Sequence, residues 1–247
     1  MATPRHLGSA PIVEAALEFQ VNLPASTDVA ATLATHSQIS DRYPDAELAT
    51  EESLLVQMGP NSPISAKPPI SKPFGHRFKS SDGTRLVLFG LQRFSFHWLK
   101  PYGSWEALRD EARRLWSIYC DALKPTAITR IGVRNTNHVS IPLQAQLEKY
   151  LVPGPMVPPD LPQSIRSFLY RVEIVDEAHE RLGIISQAFR GLTQEGELSI
   201  LLDVDAIRVG AFRPNDNSPW VIADGLRDFK NDLFYNSVTD LLLERYA

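Results

Sequence analysis

The sequence predicts an α+β fold: a largely antiparallel sheet with helices packed on one face and a long C-terminal helix. Three observations carry this expectation. Segments with strand periodicity outnumber those with helical periodicity. Successive strands are joined too tightly for repeated parallel crossovers, and helices interrupt groups of strands instead of alternating with single ones.

The first element is IVEAALEFQVNL, residues 12 to 23. Val13, Ala15, Leu17, Phe19, Val21 and Leu23 share one face, while Glu14, Glu18, Gln20 and Asn22 lie largely on the other. That is the period of a half-buried strand. Ser26-Thr27-Asp28 then forms an N-cap cluster for a short helix with Val29 and Leu33 inward. A second strand is expected near Glu47 to Met58. Residues 59 to 75, GPNSPISAKPPISKPFG, hold five prolines and predict no regular element, since proline lacks a backbone donor.

Strands resume at TRLVLFG (84 to 90) and LQRFSFHWL (91 to 99), with a bend, bulge or tight turn near Gly90. In the second, Phe94, Phe96 and Trp98 face one way, and Arg93, Ser95 and His97 the other. SWEALRDEARRLWSIYCDAL, residues 104 to 123, is the clearest helix: Ser104 caps it and Glu106 suits its positive end. Trp105, Leu108, Ala112, Leu115, Trp116 and Tyr119 recur at three- and four-residue steps, and Pro125 follows the stop. TRIGVRNTNHVSIP (129 to 142) reads as a strand carrying an unusual load of polar groups.

A second proline-rich stretch, VPGPMVPPDLPQS (152 to 164), is the candidate linker or long crossover. Residues 1–247 are expected to form a single unit; the alternative is two lobes, 1–150 and 165–247, joined by this segment. Three strands follow within SFLYRVEIVDEA, ERLGIISQAFRG and GELSILLDVDAIRVG, the first two as a hairpin turning at Ala178-His179-Glu180. The final helix starts near Ser218-Pro219 and is expected to run nearly to the end, with Leu226, Phe229, Leu233, Val238, Leu241 and Leu242 inward. By fold-level analogy, a long helix across a curved antiparallel sheet can enclose a ligand cavity.

Composition narrows the function classes. The chain is 43% hydrophobic and 22% charged, with net charge −4 and pI about 5.9. Mild acidity without basic runs disfavours nucleic acid. Cys120, the single cysteine, excludes an intrachain disulfide and sits on the apolar side of a predicted helix as a core thiol. No signal peptide is read at the N-terminus, and no window reaches the ~18 apolar residues of a membrane span. A cytoplasmic setting is expected.

Motifs of nucleotide binding, nucleophile elbows and zinc proteases are absent, and His6, His36, His76, His97, His138 and His179 lack metal-ligand spacing. No metal or cofactor is expected. The candidate ligand-binding residues are therefore clusters. In the 129–142 strand, Ile131, Val133, Val139 and Ile141 have core parity, which turns Asn135 and Asn137 inward and Arg130, Arg134, Thr136 and His138 outward. Inward amides need partners, so either a bulge re-aims the segment, or they bond neighbouring backbone and pin a strand end, or they line a polar cavity. Arg93, Ser95 and His97 form the second cluster, joining Arg130, Arg134 and His138 if the strands are neighbours. Guanidinium forks suit phosphate or carboxylate, and histidine transfers protons. Glu14 and Glu18, with Glu173 or Asp203, are a weaker carboxylate set, and Asp203 and Asp205 read as solvent-exposed.

Pro11, Val13, Glu14 and Ala15 form a P-x-V-E-A strand opening, and Gln92-Arg93-Phe94-Ser95-Phe96-His97-Trp98 loosely fits an aromatic Gln-x-x-Arg-Phe-x-Phe-x-Trp strand. Tyr102 and Trp105 open the helix that follows. Together these residues resemble a sporadically distributed bacterial family of about this length, for which the resemblance implies no activity. Asparagine is usual there at the position of His97. The family's Tyr-Ile-Asn strand end is replaced by Arg134-Asn135-Thr136-Asn137-His138, leaving Asn137 as the matching asparagine. Asp228, Phe234 and Val238-Thr239 resemble its closing helix. The resemblance implies a bacterial source and one family-length unit.

The resulting expectation is a non-catalytic binding module for a protein partner or a small anionic ligand. Exposed aromatics such as Trp220 or Tyr235 would suit a homodimer through the C-terminal helix. The alternative is an enzyme acting on a phosphorylated or carboxylated substrate, with Arg130, Arg134 and His138 as actors and His97 in support.

Overall fold

The computed structural model describes residues 2–3, 7–53, 56–59, 62–66 and 70–247, with only the backbone course given within 52–70; His6 lies outside the described residues. Its centre is a nine-stranded antiparallel sheet. The strands are β1 (Ile12–Asn22), β2 (Asp45–Ser53), β5 (Ile70–Lys79), β6 (Arg85–Gly90), β7 (Arg93–Leu99), β8 (Ala127–Ile141), β9 (Leu169–Asp176), β10 (Arg181–Leu192) and β11 (Leu198–Phe212). Their spatial order is β2-β5-β6-β7-β1-β8-β11-β10-β9, and β3 (Val56–Gly59) and β4 (Ser62–Ala66) form a separate ribbon. The pairing of β8 with β11 carries one sheet across the proline-rich segment, so strands on both sides of it share a ladder.

Residues 59 to 75 are the first correction. β4 and the start of β5 fall within them, and Pro73 pairs with Thr50 beside a register shift. β6 begins its pairing with β5 only at Gly75, so Pro73 forfeits no ladder bond on that side. The join at Gly90 is a tight turn, with Leu91 and Gln92 between β6 and β7.

Helices α1 (Val29–Ala34), α2 (Trp105–Leu123) and α3 (Ser218–Asn236) pack on the same side of the sheet. At the hub, Phe19 of β1 meets Trp116 of α2 at 4.9 Å and Trp220 of α3 at 5.3 Å, both edge-on. Trp116 Nε1 donates to the Pro214 carbonyl at 3.0 Å and the Tyr119 hydroxyl to that of Gly90 at 2.7 Å, so the buried rings have satisfied polar ends. Trp220 is 4% exposed, which removes it from any dimer surface: its ring is spent on Phe19. Gly183 lets α3 close on β10, because a Cβ there would stand 2.5 Å from Leu233 Cδ1.

Two predicted faces shift. In α1 the buried residue is Thr32, whose hydroxyl meets His76 Nδ1 at 2.7 Å, while Leu33 is exposed. The long C-terminal helix is also corrected: α3 spans 19 residues and ends at Asn236. Val152 N–H donates to the Ser237 carbonyl and Thr239 N–H to that of Tyr150, so the 150–152 segment takes up backbone groups where the helix stops. Thr239 then caps α4 (Asp240–Leu243), whose altered phase buries Leu242 and Leu243 and leaves Leu241 exposed. Among the described residues no helix is long and apolar enough to cross a membrane.

Glu111 interrupts the apolar face of α2. It accepts from the buried Tyr43 hydroxyl and from Arg42, each at 2.8 Å, and from Arg114 at 2.9 and 3.1 Å. Burial raises its pKa, but these donors outweigh burial and hold it below the usual range. Glu111→Ala strands the Tyr43 hydroxyl and two facing guanidinium groups. A loss of about 2–4 kcal/mol is expected by urea denaturation; a loss under ~0.5 kcal/mol would remove this network from the account of stability.

Candidate functional site

The sheet separates the predicted site residues onto two faces. On the open face, away from the helices, β1 lies between β7 and β8. Arg93, Ser95 and His97 therefore reach Arg130 and Arg134 only across Glu14 and Glu18. Each guanidinium there already sits on a carboxylate. Arg130 donates to Glu18 at 2.6 Å and Asp205 at 3.1 Å, Arg134 to Asp203 at 2.7 and 2.9 Å, and Arg93 stands 4.0 Å from Glu18. Gly132 leaves room for this mat, since a Cβ would come within 2.9 Å of Arg130 Nη1. Asp203 and Asp205 are correspondingly not solvent-exposed: their side chains keep 13% and 18% of their surface. Burial pushes Asp205 up to about 6, against the pull of Arg130 and Arg134.

His97 Nδ1 lies 2.6 Å from Glu14 Oε1 and Nε2 lies 2.9 Å from Ser95 Oγ. The connectivity is that of a serine nucleophile, a base and its orienting carboxylate. Ser95 is nevertheless 2% exposed, which denies a substrate the approach that acyl transfer requires. His138 is exposed near the end of β8, with its own N–H bonded to the Pro11 carbonyl. Cys120 is half-buried and its thiol is pushed up to about 12 by burial, an inert state.

Asn135 and Asn137 occupy the helix face. Asn137 is buried and donates to the Leu202 carbonyl at 3.0 Å, the pinning role for an inward amide. Asn135 lies beside a cavity of about 500 Å³. Ile12 and Ala15 of β1 and Val133 of β8 form its floor, the start of α2 (Ser104, Trp105, Glu106) one wall, and Arg227, Lys230, Asn231 and Tyr235 of α3 the other. Leu7 and Tyr102 complete the rim. A neighbouring hollow of about 70 Å³ shares Asn135, Lys230 and Tyr235 and reaches Asn137. The walls are held together by Asp224 of α3, which accepts from Trp105 Nε1 at 2.7 Å and from Arg109 at 3.1 and 3.2 Å.

Lys230 is the exceptional group of this cavity. It is 5% exposed, and no carboxylate lies within ion-pairing distance of it among the described residues. Its amine donates to Asn231 Oδ1 at 2.9 Å; with the Asn135 amide turned to satisfy both its ends, it also donates to Asn135 Oδ1 at 2.8 Å. Burial first, and then the nearby positive charge of Arg227, drives its pKa down to about 7, with Asp228 opposing. Lysines are almost never fully buried unless paired, and such a perturbed group in a hollow makes a candidate for a functional site.

The signal for Lys230 lies in the helical period. It stands four residues after Leu226 and three before Leu233, on the inward stripe of α3. A charged residue on that stripe is anomalous in the way the inward asparagines are. Compared with protein-family models and with curated proteins, the sequence matches none.

Proposed function

We propose that this protein binds a small anionic ligand in the cavity between β1, β8, α2 and α3. The observation that carries the reading is the buried Lys230 amine, held by two neutral amides beside a hollow of about 500 Å³, with no carboxylate in ion-pairing distance among the described residues. Arg227 on the same face and the positive end of the 19-residue α2 add to the attraction. Glu106 and Asp228 limit it, the latter by accepting from Arg227 at 2.8 Å. An apolar floor of Ile12, Ala15 and Val133 beneath the polar walls favours a ligand with a hydrocarbon body and one carboxylate or phosphate head.

Support is weaker for an enzyme using Arg130, Arg134 and His138 with His97 in support, because an incoming phosphate would have to displace the carboxylates already on both arginines. The proposal includes a bacterial, cytoplasmic setting, which rests on the family resemblance and the single cysteine.

Calorimetry with inorganic phosphate and with short-chain carboxylates tests the proposal. An anion that cannot react recharges the amine as it binds, so proton uptake is expected near pH 8, above the depressed pKa of about 7. Lys230→Met weakens binding at least ~10-fold, whereas the exposed Lys149→Gln leaves it unchanged. Binding that ignores Lys230, or no binding by any anion together with no ligand in native mass spectra of freshly isolated protein, would overturn the reading.

A further inference from the structure

We infer that Lys230 captures a carbonyl compound bearing a carboxylate, a 2-oxo acid, as an imine. This rests on the cavity being a ligand site and adds a covalent step to it. Three features of the cavity support it.

The first is the hydrogen bonding around Nζ. A neutral amine has two N–H donors and one lone pair, and here two amide oxygens, of Asn231 and Asn135, take the donors. The lone pair is left for an electrophile. A charged ammonium would instead present a third donor, for which the described residues offer no carboxylate. The depressed pKa agrees with this arrangement.

The second feature is access. Lys230 is almost entirely buried yet lines both the 500 Å³ cavity and its 70 Å³ annex, so an electrophile that enters the cavity meets this residue. The third is a fixed cation near the amine. Arg227 lies three residues earlier on the same helix and lines the same cavity, one turn away from Lys230. Its Nη1 already donates to Asp228 at 2.8 Å, so its remaining N–H donors are what it offers the carboxylate, leaving the amine uncharged for the adjacent keto carbon.

The step balances without a further reactant. The Nζ lone pair adds to the carbonyl carbon, and one N–H proton passes to the oxygen to give a carbinolamine. Loss of that hydroxyl with the second N–H proton, as water, leaves the carbon–nitrogen double bond. Nothing is oxidised or reduced, and hydrolysis reverses it.

Incubating the full chain with pyruvate and sodium cyanoborohydride near neutral pH, then mapping peptides by mass, tests the inference. One equivalent of reduced adduct is expected on the peptide carrying Lys230, formed at least ~100-fold faster than on ordinary surface lysines, whose amines are almost wholly protonated near neutral pH. Arg227→Gln slows that adduct, and Lys230→Met removes it. If pyruvate shifts the melting temperature but no adduct forms at Lys230, imine capture is wrong and anion binding stands. If pyruvate neither binds nor reacts, and phosphate also fails to bind, both are wrong. Adducts spread evenly over surface lysines also overturn the inference, a result the wild-type protein alone can give.

Discussion

Phe19→Ala is expected to cost about 3–5 kcal/mol, the largest effect of any single truncation considered for this fold. Phe19 is completely buried, and its ring stands edge-on to Trp116 and Trp220 and 6.1 Å from Phe94. Removing it therefore loosens α2 and α3 from the sheet together. Collapse into the void is restricted, because Trp116 is tied to the Pro214 carbonyl and Tyr119 to that of Gly90. Edge-on aromatic pairs add roughly 0.5–1.5 kcal/mol each beyond burial, which places the loss toward the upper end. Against a typical stability of about 5–15 kcal/mol, the variant is marginal at best. Urea denaturation should show the midpoint falling with the slope unchanged. A loss under about 1 kcal/mol would mean that the two helices are held chiefly elsewhere.

Lys230→Met is expected to act in the opposite direction, with a pH dependence that identifies its cause. In the unfolded chain the amine is protonated below about 10.4. In the folded protein burial keeps it neutral down to about 7. Between these values the unfolded state binds more protons, so the wild type gains stability as pH rises through that window. At pH 7 the accumulated penalty is on the order of 4–5 kcal/mol, at about 1.4 kcal/mol per pKa unit. Methionine fills much the same space without the penalty but loses two hydrogen bonds to the asparagines, worth about 1 kcal/mol each. The net gain of about 2 kcal/mol near neutrality corresponds to a melting temperature higher by about 4–8 °C. The gain shrinks as pH rises and reverses at about pH 9, where the remaining penalty has fallen to the ~2 kcal/mol lost with the two hydrogen bonds. A difference independent of pH would show that the amine is not held neutral, and would weaken the site proposal with it. A residue that destabilises its fold in this manner is typical of one kept for function.

The elements legible in the sequence were those buried on one side only. β1 alternates because one face meets Trp116 and Trp220 and the other carries Glu14 and Glu18, and α2 shows its stripe for the same reason. The errors fall where a local pattern was overruled from a distance. Leu33 has helical spacing, yet His76 on β5 selects Thr32 as the buried side of α1. Asp203 and Asp205 alternate as exposed residues do, but arginines from β8 cover them. Trp220 suited an exposed position until Phe19 supplied its partner.

The candidate site divides in the same way. That Asn135 and Asn137 turn inward follows from parity alone, because neighbouring strand residues must point to opposite faces. Which polar groups meet does not follow from parity: β1 lies between β7 and β8, and α3 crosses β8 at Asn135, with no local signal for either. By itself the sequence determined an antiparallel α+β architecture, its helical face and the inward turn of its amides, since each depends on periodicity within one segment. Only the tertiary structure decided that Lys230 faces Asn135 across a hollow while the arginines are neutralised on the far side. Charge and burial there are set by residues remote in the chain, and a sum over distant neighbours leaves no periodic trace in any one of them.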